Sequence, residues 1–125
     1  MQAEFDLYTK IFIDTDVEKA FILETVSKIV KGTVKGSNIL TEQVDIYIFN
    51  NGDFAEDKKN QGDDEFLYYK YYLEIEPTED TIDSSFILEI SNLLTALWDA
   101  GFKAVAACDF EELLPRKGGY NFDER

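Results

Sequence analysis

The sequence predicts a single α+β domain, and three features of the 125-residue chain support this prediction. Several segments alternate between apolar and polar residues, and this period of two is typical of β-strands with one buried face. Two longer segments instead carry apolar residues at helical spacing. The hydrophobic fraction of 45% gives a chain of this length enough apolar material to bury a core. We therefore expect residues 1–125 to form one domain.

The N-terminal part of the chain predicts a strand followed by a helix. Residues 5–13 alternate between two faces, as a strand does. Thr15 and Glu18 have the spacing of a capping box, which predicts that a helix begins there. Gly32 predicts the end of this helix, because glycine adopts the left-handed conformation of a C-cap at little steric cost.

The middle of the chain predicts strands that are separated by an acidic loop. Residues 33–43 contain turn-forming residues and fit either a short edge strand or a loop, of which we favour the strand. Residues 44–49 and 66–76 alternate regularly, and Pro77 ends the second and longer of these strands. Residues 53–65 are rich in acidic side chains and contain almost nothing apolar. We expect them to form a mobile loop.

The C-terminal third predicts a second helix, a strand and an irregular tail. The helix runs from about Asp83, a residue type that favours helix N-termini, to Gly101. Residues 103–110 begin with a run of small apolar side chains, which suits a strand that packs closely against a helix. The tail from residue 111 onward is charged and contains Pro115, so we expect it to be irregular.

The predicted order of elements is strand, helix, two or three strands, helix, strand. Both amphipathic helices need a surface that covers their apolar side, and the simplest arrangement packs both on one face of a mostly antiparallel sheet. This arrangement is a two-layer sandwich of the ferredoxin-like type. The opposite face of the sheet then remains open to solvent.

The open face is predicted to carry rings and carboxylates. Exposed apolar surface often marks an interaction site, and tyrosine is enriched at interface hot spots. Carboxylates beside rings receive arginine and lysine by ion pairing and stacking. We therefore predict a protein-binding surface, supported at long range by three carboxylates at the end of the acidic loop. Its predicted members are Tyr8, Asp45, Tyr47, Tyr68, Tyr72, Glu74 and Glu76, with Asp63, Asp64 and Glu65 from the loop.

In two alternatives, this face is covered by the chain itself or by a second copy of it. In the first, the C-terminal tail folds back over the patch. In the second, a homodimer buries it. The tail residues that would cover the patch are Leu113, Leu114, Tyr120 and Phe122.

The charge of the chain indicates the class of partner. The sequence contains 26 acidic and 12 basic residues and no histidine, so its formal net charge is −14. This charge attracts a basic protein and repels both nucleic acid phosphates and anionic membrane surfaces. No segment approaches the roughly 20 apolar residues that span a bilayer, and the N-terminus lacks the pattern of a signal peptide. We therefore expect a soluble cytoplasmic protein.

The sequence predicts no catalytic, metal or cofactor site. Cys108 is the only cysteine, which excludes an internal disulfide and fits a reducing cytosol. Since no histidine is present to activate its thiol, we interpret it as a structural residue. The chain lacks a glycine-rich phosphate loop, zinc-ligand spacing and an EF-hand pattern. Among 26 acidic residues, no pair of carboxylates stands out as catalytic. We predict that the protein is not an enzyme.

The C-terminal third also resembles a known group of proteins. Residues 101–115 (GFKAVAACDFEELLP) and residues 118–121 (GGYN) are similar to the ending of small acidic bacterial immunity proteins from polymorphic or contact-dependent toxin systems. This resemblance implies a cytoplasmic protein that binds and blocks a cognate toxin domain, often a basic nuclease. The charge and the predicted surface indicate the same class of partner independently.

Three hypotheses of function follow, and we favour an acidic inhibitor of a basic toxin domain. The second is a single-stranded RNA binder, because RRM domains stack bases on exposed sheet aromatics. The net charge and the lack of an RNP-like run oppose it. The third is a ferredoxin-like small-molecule binder or enzyme. A convergent pocket would favour the third hypothesis, whereas a broad acidic face would favour the first.

Overall fold

The sheet is the organising element in the computed structural model, which describes residues 6–52, 54, 65–79 and 81–119. Within these ranges the chain forms two α-helices and a six-stranded antiparallel sheet, so the predicted α+β class is confirmed. The strands are β1 (Thr9–Asp14), β2 (Thr33–Lys35), β3 (Asn38–Leu40), β4 (Val44–Asn50), β5 (Tyr71–Pro77) and β6 (Lys103–Ala107). The helices are α1 (Lys19–Val30) and α2 (Asp83–Asp99). The strand order is β2-β3-β4-β5-β1-β6.

Both helices bury their apolar sides in one hydrophobic cluster with inward-facing strand residues. We expected this packing from the two apolar stripes, and the expected residues are all present in the cluster. The other side chains of the strands lie on the opposite face of the sheet, because successive side chains of a strand point to opposite faces. The expected cluster members are Ile22 and Val26 of α1, Ile90, Leu94 and Leu97 of α2, and Ile11, Ile13, Ile46, Leu73 and Ile75 of the sheet.

The prediction of one long strand over residues 66–76 is wrong. Residues Glu65–Tyr68 form a 3₁₀ turn, and β5 begins only at Tyr71. Phe66 and Tyr69 are three residues apart, a spacing that puts two side chains on the same side of such a turn. Both are buried with Phe12 and Val105 in a second small cluster on the face of the sheet opposite the helices, so this face is open to solvent only in part. Burial of these two rings therefore overrides the alternating pattern.

Both predicted caps of α1 are also wrong. The Oγ1 of Thr15 accepts a hydrogen bond from the N–H of Val17 at 3.3 Å, and the helix begins four residues later without a side-chain cap. At the other end, Lys31 rather than Gly32 adopts the left-handed conformation, with φ 57° and ψ 42°. A Cβ on Gly32 would lie 2.6 Å from Cγ2 of Ile39. The glycine is thus needed for close packing against β3, not for capping.

The Lys31→Gly variant should raise the free energy of unfolding by about 0.5–1 kcal/mol. A left-handed residue with a Cβ is strained, and glycine removes that strain at some cost in chain entropy. Lys28→Gly is the matched control, because Lys28 lies inside the same helix, where glycine costs about 1 kcal/mol. Urea denaturation of both variants measures the difference. A loss of stability in both would show that residue 31 is not left-handed in solution.

Residues 33–43 carry regular structure, whereas the tail does so only in part. Residues 33–43, for which we favoured a strand, contain β2 and β3, and the turn between them includes Gly36 with a φ of 66°. The tail forms a 3₁₀ turn at Glu111–Leu113, where the expected irregularity is wrong. Within Pro115–Gly119, Arg116, Lys117 and Gly118 have positive φ values and no regular helical backbone, as expected of an irregular tail. Leu114 is buried in the helix-side cluster, which places this part of the tail away from the open face.

Two expectations fall on residues that are not described. Most of the predicted acidic loop, which includes Asp63 and Asp64, lies outside the described residues. The same is true of Tyr120 and Phe122, which we considered as a cover for the open face. Leu113, the remaining apolar residue of that proposed cover, is 58% exposed.

Candidate protein-binding surface

Strand register brings the predicted residues of β4 and β5 together on the face opposite the helices. Tyr72 of β5 lies between Phe12 of β1 and Phe49 of β4. Two residues further along β5, Glu74 pairs with Tyr47 of β4. The face therefore changes from aromatic to acidic along the direction of the strands.

Five rings form a continuous aromatic row across this face. We define the row as Phe66, Phe12, Tyr72, Phe49 and Tyr47, in spatial order. Successive ring centroids are separated by 5.4, 5.9, 5.4 and 6.4 Å, distances at which rings attract one another. The row is buried at its Phe66 end, whereas Phe49 and Tyr47 are each 37% exposed. Its solvent-exposed end is therefore the part that is accessible to a partner.

The acidic group consists of Asp45, Glu74 and Glu76, which lie beside the exposed end of the row. Asp45 and Glu76 face each other directly across β4 and β5, where like charges repel. Asn38 donates a hydrogen bond from Nδ2 to Oδ1 of Asp45 at 2.8 Å, but it brings no positive charge. None of the three carboxylates forms an ion pair with a residue that the structure describes. Lys10 lies opposite Glu74 across β1 and β5, so the negative charge of Asp45 and Glu76 is the part that is available to a partner.

Two tyrosine hydroxyls support these carboxylates. Burial, together with a hydrogen bond to Glu74 and the charge of that carboxylate, raises the pKa of Tyr8 well above its usual value. The pKa of Tyr47 is also raised, mainly by the negative charge of Asp45 and further by a hydrogen bond to it. Both phenols therefore stay protonated at neutral pH and donate hydrogen bonds to the acidic group. Tyr8, which directly precedes β1, is thus part of the predicted surface.

An aromatic cleft of about 550 Å³ opens next to the buried end of the aromatic row. Lys10 lies in it with Nζ 4.7 Å from the ring centroid of Tyr72. Asn51 donates hydrogen bonds from Nδ2 to the carbonyl oxygens of Leu67 at 3.0 Å and Tyr69 at 2.7 Å, and so connects the end of β4 to the 3₁₀ turn. The described lining of the cleft is Lys10, Phe12, Asn51, Gly52, Leu67, Tyr68 and Tyr72.

The structure gives the loop-side members of the predicted surface different positions. Tyr68 does not lie on β5, as we expected, but on the 3₁₀ turn, from which it still lines the cleft beside Tyr72. Glu65 begins this turn, and Asp63 and Asp64 lie outside the described residues. The proposed long-range role of these three carboxylates stays a prediction.

Sequence reasoning missed two polar residues of the cleft. Lys10 alternates in phase with Phe12, so the strand pattern itself contained the signal that it shares the open face. Asn51 follows a strand in a turn sequence, and nothing local indicates that its amide connects to residues sixteen and eighteen positions further along the chain.

Two other features of the described chain, a thiol and a second depression, lie outside the aromatic row and the acidic group. Burial raises the pKa of the Cys108 thiol to about 11, which lowers the thiolate fraction at neutral pH. No group of three or more potential metal ligands occurs within the described ranges. A second depression, of about 570 Å³, lies near β2 and contains both lysine and glutamate side chains. Neither α1 nor α2 combines the length and the apolar character of a membrane-spanning helix.

Known proteins give no further guidance to the function of this surface. Comparison of the chain with protein-family models, with curated proteins and with solved structures finds no match.

Proposed function

We propose that this protein is an acidic protein-binding module, an immunity-type inhibitor that binds and blocks a basic, nuclease-like toxin domain. The observation that supports this most directly is the exposed end of the aromatic row next to three carboxylates that form no ion pair within the described residues, with Lys10 opposite only one of them, Glu74. The carboxylates accelerate the encounter with a basic surface and take the place of substrate phosphates. The rings, once desolvated, provide the lasting affinity. The protein performs no reaction and needs no cofactor in this role.

Three further observations support the proposal. The net charge of −14 opposes association with nucleic acid and with anionic membranes. Residues 101–121 resemble the ending of bacterial immunity proteins. The single cysteine, Cys108, is unpaired, which fits the reducing bacterial cytoplasm in which such an inhibitor acts.

We also propose that the core of the fold is a two-layer, ferredoxin-like sandwich. The inner order β4-β5-β1-β6, with α1 after β1 and α2 after β5, supports this arrangement. The hairpin of β2 and β3 is then an extension at one edge of the sheet. Fold alone does not indicate which function it supports.

A small-molecule binder or ferredoxin-like enzyme is the second candidate, and the aromatic cleft favours it. Its volume of about 550 Å³ lies within the range of ligand pockets, and its lining contains a cation and an amide among aromatic rings.

Two further alternatives have less support. The aromatic row favours single-stranded RNA binding, but the net charge opposes it. A homodimer through the open face would bring two acidic groups together, which costs energy unless cations bind between them.

Titration against any basic toxin domain that is encoded next to this gene tests the main proposal. We expect a one-to-one complex, loss of the toxin activity at equal concentrations, and an association rate that falls as salt is added. Calorimetry measures the stoichiometry and a stopped-flow assay measures the rate. Binding without inhibition, or no binding to any neighbouring basic domain, would contradict the proposal. Tight binding of a small metabolite in the cleft would support the second candidate instead.

A further inference from the structure

We infer that the aromatic cleft receives an uncharged aromatic side chain of the protein partner, while an arginine or lysine of the same partner lies against the acidic group. This inference depends on the proposed function and adds the chemistry of the partner's contact segment. The aromatic cleft and the acidic group are neighbouring parts of one sheet face, and they differ in charge.

The cleft favours a ring without a positive charge. Lys10 is the only charged residue in its described lining, and its ammonium group already lies over the ring of Tyr72. A guanidinium group placed there would meet a like charge. The half-buried rings of Tyr68 and Tyr72 together with the exposed side chain of Leu67 instead provide apolar surface on which an aromatic side chain can stack.

The acidic group favours a cation for the opposite reason. Side chains that face each other across two antiparallel strands have Cβ atoms roughly 5 Å apart, so Asp45 and Glu76 repel each other in the free protein. A guanidinium or ammonium group between them removes this repulsion and forms charge-assisted hydrogen bonds. The hydroxyl of Tyr47 beside them offers a further polar contact.

The spacing of the two parts limits the geometry of the partner. Tyr72 and Glu76 are four residues apart on β5 and point to the same face, which corresponds to about 13 Å along the strand. An extended partner segment spans this distance between side chains four residues apart. A uniformly basic segment would satisfy the acidic group and leave the cleft unfilled.

Three small probes separate the two parts in the full-length protein. Indole represents an uncharged ring, ethylguanidinium an arginine side chain, and adenosine monophosphate an anionic ring. In ¹⁵N-labelled protein, we expect indole to shift the amide signals of Leu67, Tyr68 and Tyr72. Ethylguanidinium should shift those of Asp45, Glu74 and Glu76. Adenosine monophosphate should bind in the cleft no more tightly than indole, because repulsion of its phosphate by the three carboxylates of the acidic group offsets the attraction of Lys10.

Single substitutions should affect the probes selectively. Tyr68→Ala should weaken indole binding about three- to tenfold and leave ethylguanidinium unchanged. Glu76→Gln should have the reverse effect. Phe21→Ala is the matched control, since this exposed ring lies on α1, on the helix side of the sheet, and its loss should change neither probe.

Two peptides of identical composition test the spacing. The peptide with tryptophan and arginine four residues apart should bind more tightly than the one in which they are adjacent. Equal affinities, ethylguanidinium in the cleft, or tighter binding of adenosine monophosphate than of indole would each overturn the inference. The toxin domain would still bind in those cases if the proposed function is correct. If indole binds in the cleft and the toxin domain does not bind at all, the proposed function fails while the ring site stands.

Discussion

Replacing Leu94 with alanine is expected to lower the free energy of unfolding by about 2–5 kcal/mol. Leu94 is fully buried in the cluster that joins α2 to the sheet. The substitution removes the transfer free energy of its apolar atoms and leaves a cavity that close-packed neighbours fill only in part. Urea denaturation measures the loss as a lower midpoint concentration, provided that the slope of the unfolding free energy against urea concentration stays the same.

Leu88→Ala is the matched control for this prediction. Leu88 lies on the same helix but is 60% exposed, so the same chemical change should alter the stability by no more than about 0.5 kcal/mol. Equal losses for the two variants would mean that α2 does not present the side of Leu94 to the sheet. The placement of both helices on one face, and with it the open face, would then have to be abandoned.

Tyr47→Ala should increase the dissociation rate of the complex with the basic toxin domain by about 30-fold or more. This factor corresponds to the roughly 2 kcal/mol that defines an interface hot spot. Tyr47 stacks on Phe49 at the exposed end of the aromatic row and donates a hydrogen bond to Asp45. A partner that covers this end desolvates the ring, and truncation removes that contact. Surface plasmon resonance separates the dissociation and association rates.

Charge removal should change a different rate. Neutralisation of Asp63, Asp64 and Glu65 should mainly slow association and weaken its dependence on salt. Phe21→Ala on the helix side should change neither rate. If Tyr68→Ala and Tyr72→Ala both leave the affinity and the dissociation rate unchanged, the open face is not the interface. The helix surfaces or the tail would then be the next candidates.

Local patterns were sufficient where a segment has one buried face and one exposed face. The alternation in residues 44–49 predicted β4 and the direction of Asp45 and Tyr47 correctly. The apolar stripe after Asp83 likewise predicted α2 and three of its five buried residues, Ile90, Leu94 and Leu97. In both cases the period of the pattern matches the period of the backbone, and no distant contact is needed to interpret it.

The same reasoning failed where distant residues set the local geometry. Tyr68 was assigned to a strand because alternation cannot show that Phe66 and Tyr69 are both buried on the second face of the sheet. The local sequence predicts a cap at Gly32, because it does not reveal that Ile39 packs against the Cα of this glycine. In each case the deciding contact joins elements that lie next to each other only after the sheet has formed.

The sequence by itself determined the α+β class, the two helix faces, the excess of acidic charge and most of the aromatic and acidic residues on the open face. These properties follow from composition and from periodicity within single segments. Only the tertiary structure decided that the rings form one row, that Lys10 and Tyr68 share a cleft, and that Asp45 faces Glu76. Such relations depend on the pairing of β1, β4 and β5, and strand register is set by the packing of the whole sheet rather than by any one strand.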